Sequence, residues 1–268
     1  MPVQASGNVQ IFYEMIPGGP PWQNRTPIFL HHGLALSHIH WYAWLPALVA
    51  TGRSILRLDM RGHGQSTSPP EGTPWTIEDL AADALAVLDA AGVKTCHFVG
   101  ESAGGTLGMY LAARYPDRIT SVTAISAAYR GDRVGNLDEW DTLLPQLGIA
   151  GWSRMMMDRR FDPATIDPAL AVWYEVEQAK VTVRTVLEIK NLLQRTNLTD
   201  DLPRIDRPVL LITPEASPFV GTGLMEDAHA LIPRSELINV RGARHGLFTS
   251  HAAECADAFV NFLRRRGD

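Results

Sequence analysis

The sequence has 268 residues, of which 46 % are hydrophobic, and a formal net charge of −5. That length fits one large α/β domain with room for an inserted subdomain. Acidic and basic residues are mixed along the chain, and the one basic run, Arg264-Arg265-Arg266, sits at the end of a helical pattern, which argues against nucleic-acid binding.

No stretch approaches the ~18 consecutive apolar residues of a membrane span, and the N-terminus has no basic region followed by an apolar run. The expectation is a cytoplasmic protein that binds neither membrane nor nucleic acid. Cys96 and Cys255 fall in apolar strand-like and helical runs, outside any C-x-x-C or metal spacing, and read as reduced packing residues.

Strand-like runs come in the order 28–32, 54–58, 95–99, 119–125, 209–213 and 236–240. Helical patterns lie between them. Thr76 with Asp79 forms a capping box for a helix whose apolar stripe is Ile77, Leu80, Ala81, Ala84 and Leu88, and Gly92 ends it. The last helix shows Ala256, Phe259, Val260 and Leu263 on one face. Strands alternating with helices predict a mostly parallel, doubly wound sheet. The alternation stops over 131–198, which holds Trp140, Trp152, Trp173 and the run Met155-Met156-Met157. Asp167-Pro168 and Thr182 cap helices there. The prediction is a core of 1–130 and 199–268 with a helical lid at 131–198.

Four motifs carry chemistry. Phe29-Leu30-His31-His32-Gly33-Leu34 ends an apolar strand in His-Gly, where the backbone can turn and offer the Leu34 N–H to an oxyanion. Histidines 31, 32, 38 and 40 are the alternative reading, a metal site, but no carboxylate or thiolate accompanies them. Asp59-Met60-Arg61-Gly62-His63-Gly64-Gln65-Ser66 follows the next strand. Gly100-Glu101-Ser102-Ala103-Gly104 is a G-x-S-x-G sequence between strand and helix, the context of a nucleophile elbow. It lifts the Ser102 hydroxyl off the sheet and aims the Ala103 N–H at a developing oxyanion. Gly242-Ala243-Arg244-His245-Gly246 lies between the last strand and the last helix.

In this order and spacing the motifs resemble the α/β-hydrolase superfamily, in particular its single-domain esterase, lactonase, C–C hydrolase and dehalogenase branch. The resemblance spans almost the whole chain, and it implies the α/β-hydrolase fold with 131–198 as its variable lid. Serine rather than aspartate at the elbow argues for acyl transfer to water. The resemblance makes His245 the general base and 59–66 a structural loop. It places the acid on the loop after 209–213 or after the preceding strand, where this chain has Ser217 and Ser126. Glu215 is the nearest carboxylate, and Asp132, Asp227 or a dyad without an acid are the alternatives. The expected enzyme hydrolyses a small carboxylic ester or lactone without metal or cofactor. Trp152 and Trp173 are expected to contact substrate, with Met155 to Met157 supplying apolar surface. Cleavage of a C–C bond, cofactor-free oxygenation or decarboxylation, with lid arginines 130, 133, 154, 159, 160 and 195 holding a carboxylate, is the second reading. A ligand receptor with decayed catalysis is the third.

Overall fold

The computed structural model describes residues 2–23 and 25–267, so the terminal residues 1 and 268 of the expected core lie outside it. Eight strands form one sheet in the order β1-β2-β4-β3-β5-β6-β7-β8: β1 (Val3–Ser6), β2 (Val9–Ile16), β3 (Ile28–His31), β4 (Ile55–Leu58), β5 (Cys96–Glu101), β6 (Ile119–Ile125), β7 (Val209–Pro214) and β8 (Ser235–Val240). From β4 to β8 all pairings are parallel, while β1 and β2 form an antiparallel hairpin on the edge.

The central strands β3, β5, β6 and β7 are buried at nearly every position because both faces are covered. Consecutive side chains point to opposite faces. Phe29, Leu56, Phe98, Val122 and Leu211 pack in one core, while Ile28, Leu30, Ile55, Val99 and Ile212 pack in the other. Helices α1 (Leu45–Val49), α2 (Ile77–Ala90) and α3 (Ala103–Arg114) follow β3, β4 and β5. Thr76 and Asp79 make the expected reciprocal cap of α2, and Gly92, at φ +67°, follows its last turn.

Between β6 and β7 lie α4 (Trp140–Arg160), α5 (Pro168–Gln178) and α6 (Val183–Arg195). A lone antiparallel bridge, Arg130 to Asn197, closes the base of this insertion. Helix α4 kinks at Gly148 (φ +63°). The Asp167 carboxylate accepts from Ala169 N–H and Leu170 N–H at the start of α5, and Thr182 caps α6. Helices α7 (Thr222–Leu231), α8 (Leu247–Ser250) and α9 (Ala252–Arg264) complete the core. The insertion therefore rises from the C-terminal edge of the sheet, the edge at which ligands bind in open α/β folds.

Candidate active site

Ser102 stands between the end of β5 and the first residue of α3, with φ +52° and ψ −116°. This left-handed, strained turn is what an elbow requires. A Cβ on Gly100 would come within 2.2 Å of the Gly104 carbonyl oxygen, so no larger residue fits across the turn. Ser102 Oγ is 3.3 Å from Nε2 of His245, which arrives on the loop between β8 and α8. The backbone of that loop is fixed from two sides. Ser126 Oγ donates to the His245 carbonyl oxygen at 3.2 Å, and Gly246 N–H donates to the Arg160 carbonyl oxygen at 2.8 Å. Ser126, one of the two places where an acid was expected, thus serves as an anchor.

The other place holds Ser217, whose Oγ lies 3.3 Å from Nδ1 of His245. Glu215 does not reach the ring. It is exposed, and its Oε2 accepts from the Gly242 N–H at 2.7 Å. Strand β7 ends at Pro214, and in the loop beyond it Glu215 turns to the Gly242 N–H at the surface while Ser217 faces the His245 ring. Asp132 and Asp227 are no closer to the task, since they pair with Arg130 and Arg133.

A different carboxylate lies beside the ring. Glu101 is fully buried, with Oε1 3.8 Å from His245 Nε2. A Cβ on Gly33 would meet Glu101 Oε2 at 2.1 Å and Ser102 Cβ at 2.9 Å, so this glycine gives the carboxylate its space beside the nucleophile. Burial pushes the Glu101 carboxyl up to about 7, against the pull of the Arg160 guanidinium and the Gly33 amide. Burial, reinforced by Arg160, pushes His245 down to about 3. Sequence reasoning treated Glu101 only as the variable residue of the motif. The available signal was a carboxylate closing an otherwise apolar strand end.

The wall of the cavity over Ser102 includes Leu34, Ala103, Trp140, Met156, Phe219 and Arg160. Its free volume is about 30 Å³, little more than one water occupies. Leu34 and Ala103, the expected oxyanion residues, are both on this wall. Ala103 is the first residue of α3, where an N–H has no partner within its own helix. The turn after Leu34 is held by Ala35 N–H, which donates to His63 Nε2 at 3.0 Å. Trp152 and Trp173 are not on the wall. Trp152 is buried behind Trp140 with ring centroids 5.3 Å apart, and Trp173 packs tilted against His40 and edge-to-face with Tyr42, on a separate surface depression. Of the three consecutive methionines, Met156 alone lines the cavity.

The histidines weighed as a metal site are engaged by other groups of the protein. His32 Nε2 accepts from Met60 N–H at 2.8 Å, His40 Nδ1 accepts from Ser37 N–H at 3.1 Å, and His38 bonds Asp59 at 2.7 Å. Among the described residues, no group of three His, Cys, Asp or Glu side chains is placed to hold a metal. Of the arginines expected to hold a carboxylate, Arg130, Arg133, Arg154 and Arg159 have acidic partners, and Arg195 donates to the Trp75 carbonyl oxygen at 3.0 Å. Arg160 is the buried one. Its Nη2 donates to the Leu34 carbonyl oxygen at 3.1 Å, and its Nε and Nη1 have no hydrogen-bond partner.

Known proteins show the same architecture. An enol-lactonase from Burkholderia xenovorans superposes with a TM-score of 0.89 over 98 % of this chain and 100 % of its own, at 24 % identity. A hydrolase from Pseudomonas aeruginosa PA01 does so with a TM-score of 0.86 over 98 % of this chain and 97 % of its own, at 25 % identity. A non-heme haloperoxidase of Rhodococcus erythropolis is 26 % identical over 280 residues, covering 97 % of this chain and 98 % of its own. The family model described as alpha/beta hydrolase fold matches residues 26–252, from just before β3 to the start of the last helix, and the chain belongs to that family.

Proposed function

We propose that this protein hydrolyses a small carboxylic ester or lactone through an acyl-enzyme on Ser102. The observation that carries the reading is the 3.3 Å contact between Ser102 Oγ and His245 Nε2 on a strained elbow. In the proposed reaction Ser102 Oγ attacks the acyl carbon as its proton passes to His245 Nε2. The Leu34 and Ala103 N–H groups receive the oxyanion. His245 then returns the proton to the leaving oxygen, and a water repeats the sequence to release the acid. The apolar wall formed by Leu34, Leu137, Trp140, Met156 and Phe219 favours a small hydrocarbon acyl group, with the insertion acting as a lid.

The likeness to a hydrolase and an enol-lactonase supports hydrolytic chemistry. The test is labelling with a fluorophosphonate, followed by turnover of short nitrophenyl esters and simple lactones. Labelling confined to Ser102 together with ester or lactone turnover supports the reading. Absence of both would leave a protein that binds ligands without acylation.

A further inference from the structure

The site poses a problem of charge. When His245 takes the Ser102 proton it becomes an imidazolium in a buried place that already disfavours that charge. An aspartate on Nδ1 ordinarily does two things there: it fixes the tautomer and balances the cation. Here Nδ1 faces a neutral hydroxyl, Ser217 Oγ, which also accepts from the N–H groups of Phe219 at 3.2 Å and Val220 at 3.1 Å. A hydroxyl can orient the ring, but it carries no charge.

We propose that Glu101 supplies the negative charge that balances the His245 imidazolium, while Ser217 holds the ring by its far nitrogen, so that two residues divide the work of one aspartate.

Several independent observations support this division. Among the described residues, Glu101 is the acid paired with His245. Neither of its buried oxygens has a side-chain hydrogen-bond partner, so beyond the pull of the Gly33 amide the carboxylate is not consumed by a structural role. It is the residue adjacent to the nucleophile on a rigid strand end, which fixes its distance to the ring. The groups around it are His245 from the last loop, Arg160 from α4 and Tyr174 from α5, with His40 beside Tyr174 at a ring separation of 5.1 Å. Arg160 favours the ionised form of Glu101, and Tyr174 remains neutral, its hydroxyl pushed above the usual range by burial. Through the reaction Glu101 neither gains nor loses a proton. The proton moves from Ser102 Oγ to Nε2 and on to the leaving oxygen, and Glu101 acts on the cation from 3.8 Å. It is a positioning and charge-balancing residue for the reaction proposed above, and the idea rests on that reading.

Because only the ionised carboxyl does this work, activity should rise with pH through about 7. The experiment compares kcat and the pH profile of kcat/KM on 4-nitrophenyl acetate for wild type, Glu101→Gln, and Glu101→Gln combined with Ser217→Asp. Glu101→Gln should lower kcat at pH 8 by ~10-fold or more and remove the limb near neutrality. Ser217→Asp in that background should recover at least ~5-fold, because it returns a carboxylate to Nδ1. Glu101→Gln with kcat within twofold and the limb retained overturns the proposal. So does a loss that Ser217→Asp leaves unrecovered in a protein that unfolds at the wild-type temperature. A readout independent of turnover is the 15N resonance of His245 Nε2 in wild type. It should titrate with a midpoint near 7 as Glu101 ionises beside it, and a resonance flat from pH 5.5 to 8.5 overturns the proposal even if Glu101→Gln fails to fold. If esters and lactones are not turned over while that titration is present, the hydrolase reading fails and the placement of the charge stands.

Discussion

Ser217 Oγ lies 3.3 Å from His245 Nδ1, at a point where the Phe219 and Val220 N–H groups also converge. Two backbone N–H donors aimed at one small oxygen, joined by Nδ1–H in the tautomer that leaves Nε2 free as a base, describe a receptacle better matched to a carboxylate than to a hydroxyl. Ser217→Asp in the wild-type background should therefore raise kcat on a nitrophenyl ester, by ~10-fold, and extend activity to lower pH. Glu215→Gln removes a charge held at the surface by the Gly242 N–H, and should leave kcat within about twofold, far from the ~10⁴-fold loss that changing a true triad acid to its amide can cause. Steady-state kinetics of the two single variants decides both points. A large loss in Glu215→Gln would return that residue to the site.

Ser102→Ala should abolish fluorophosphonate labelling while leaving the unfolding temperature close to wild type. The side chain it removes is small, and the backbone turn is held by the strand before it and the helix after it. Any remaining hydrolysis should be only the ~10³–10⁴-fold advantage over water that an oxyanion hole and binding give alone. Labelling at an unchanged rate in this variant would move the nucleophile elsewhere.

The tryptophans of the insertion should separate by role. Trp140 is on the cavity wall, so Trp140→Ala should raise KM for larger acyl groups and broaden the accepted chain length. Trp152 is fully buried behind it, and Trp152→Ala should cost ~3–5 kcal/mol of stability through the cavity it leaves. Trp173→Ala should change neither KM nor kcat by more than about twofold, since its ring lies on His40 and Tyr42. Chain-length profiles and urea unfolding distinguish the three, and a KM effect confined to Trp173→Ala would contradict the assignment of the wall.

Acid should unfold this protein steeply. Burial holds His31 and His63 down to about 4, His40 and His245 to about 3, and His32 well below the ordinary imidazole value. The unfolded chain binds protons at these residues below about pH 6.5, whereas the folded chain does not. Stability is therefore present above that pH and lost as pH falls, by up to ~1.4 kcal/mol per pH unit for each histidine. Glu101 acts with the opposite sign. Its folded value near 7 lies above its ordinary 4.5, so its contribution is greatest below pH 4.5 and is lost as pH rises through 7. Urea titrations from pH 4.5 to 8 should show the fall below 6.5, and Glu101→Gln should be more stable than wild type at pH 8. A wild-type profile flat between pH 6.5 and 4.5 would contradict the histidine argument.

The six strands β3 to β8 were legible within two residues at each end because each carries an apolar run, near-continuous where both faces are covered and shorter in β8 at the edge of the sheet. The β1–β2 hairpin was not read, although Val9, Gln10 and Ile11 alternate. Its burial is partial and its polar residues interrupt the run, so the signal is period two on a half-exposed edge. The elbow and the histidine loop were readable because their geometry imposes small residues at fixed spacing. Partners of His245 were not. Glu215 was favoured by distance along the chain, but the chain has left β7 by then, and the loop that follows turns Glu215 to the Gly242 N–H and Ser217 to His245. Glu101 and Arg160 meet only when β5 and the insertion are packed, and helical periodicity cannot say which buried face of an insertion looks onto a site.

The end of α4 touches both sides of the candidate site. The Arg160 carbonyl receives the Gly246 amide next to His245, and its guanidinium holds the Leu34 carbonyl beside the oxyanion turn. The cavity that Leu34 and Arg160 help to line is about 30 Å³, smaller than an ester. On the hydrolase reading proposed above, seating an acyl group there requires the end of α4 to shift, and that same end keeps base and oxyanion turn in register. Admission and assembly would then be coupled, chemistry would wait for α4 to return, and turnover would be limited by that motion. For good substrates its turnover should not depend on the leaving group, and a nitrophenolate and a simple alkoxide should depart at the same overall rate.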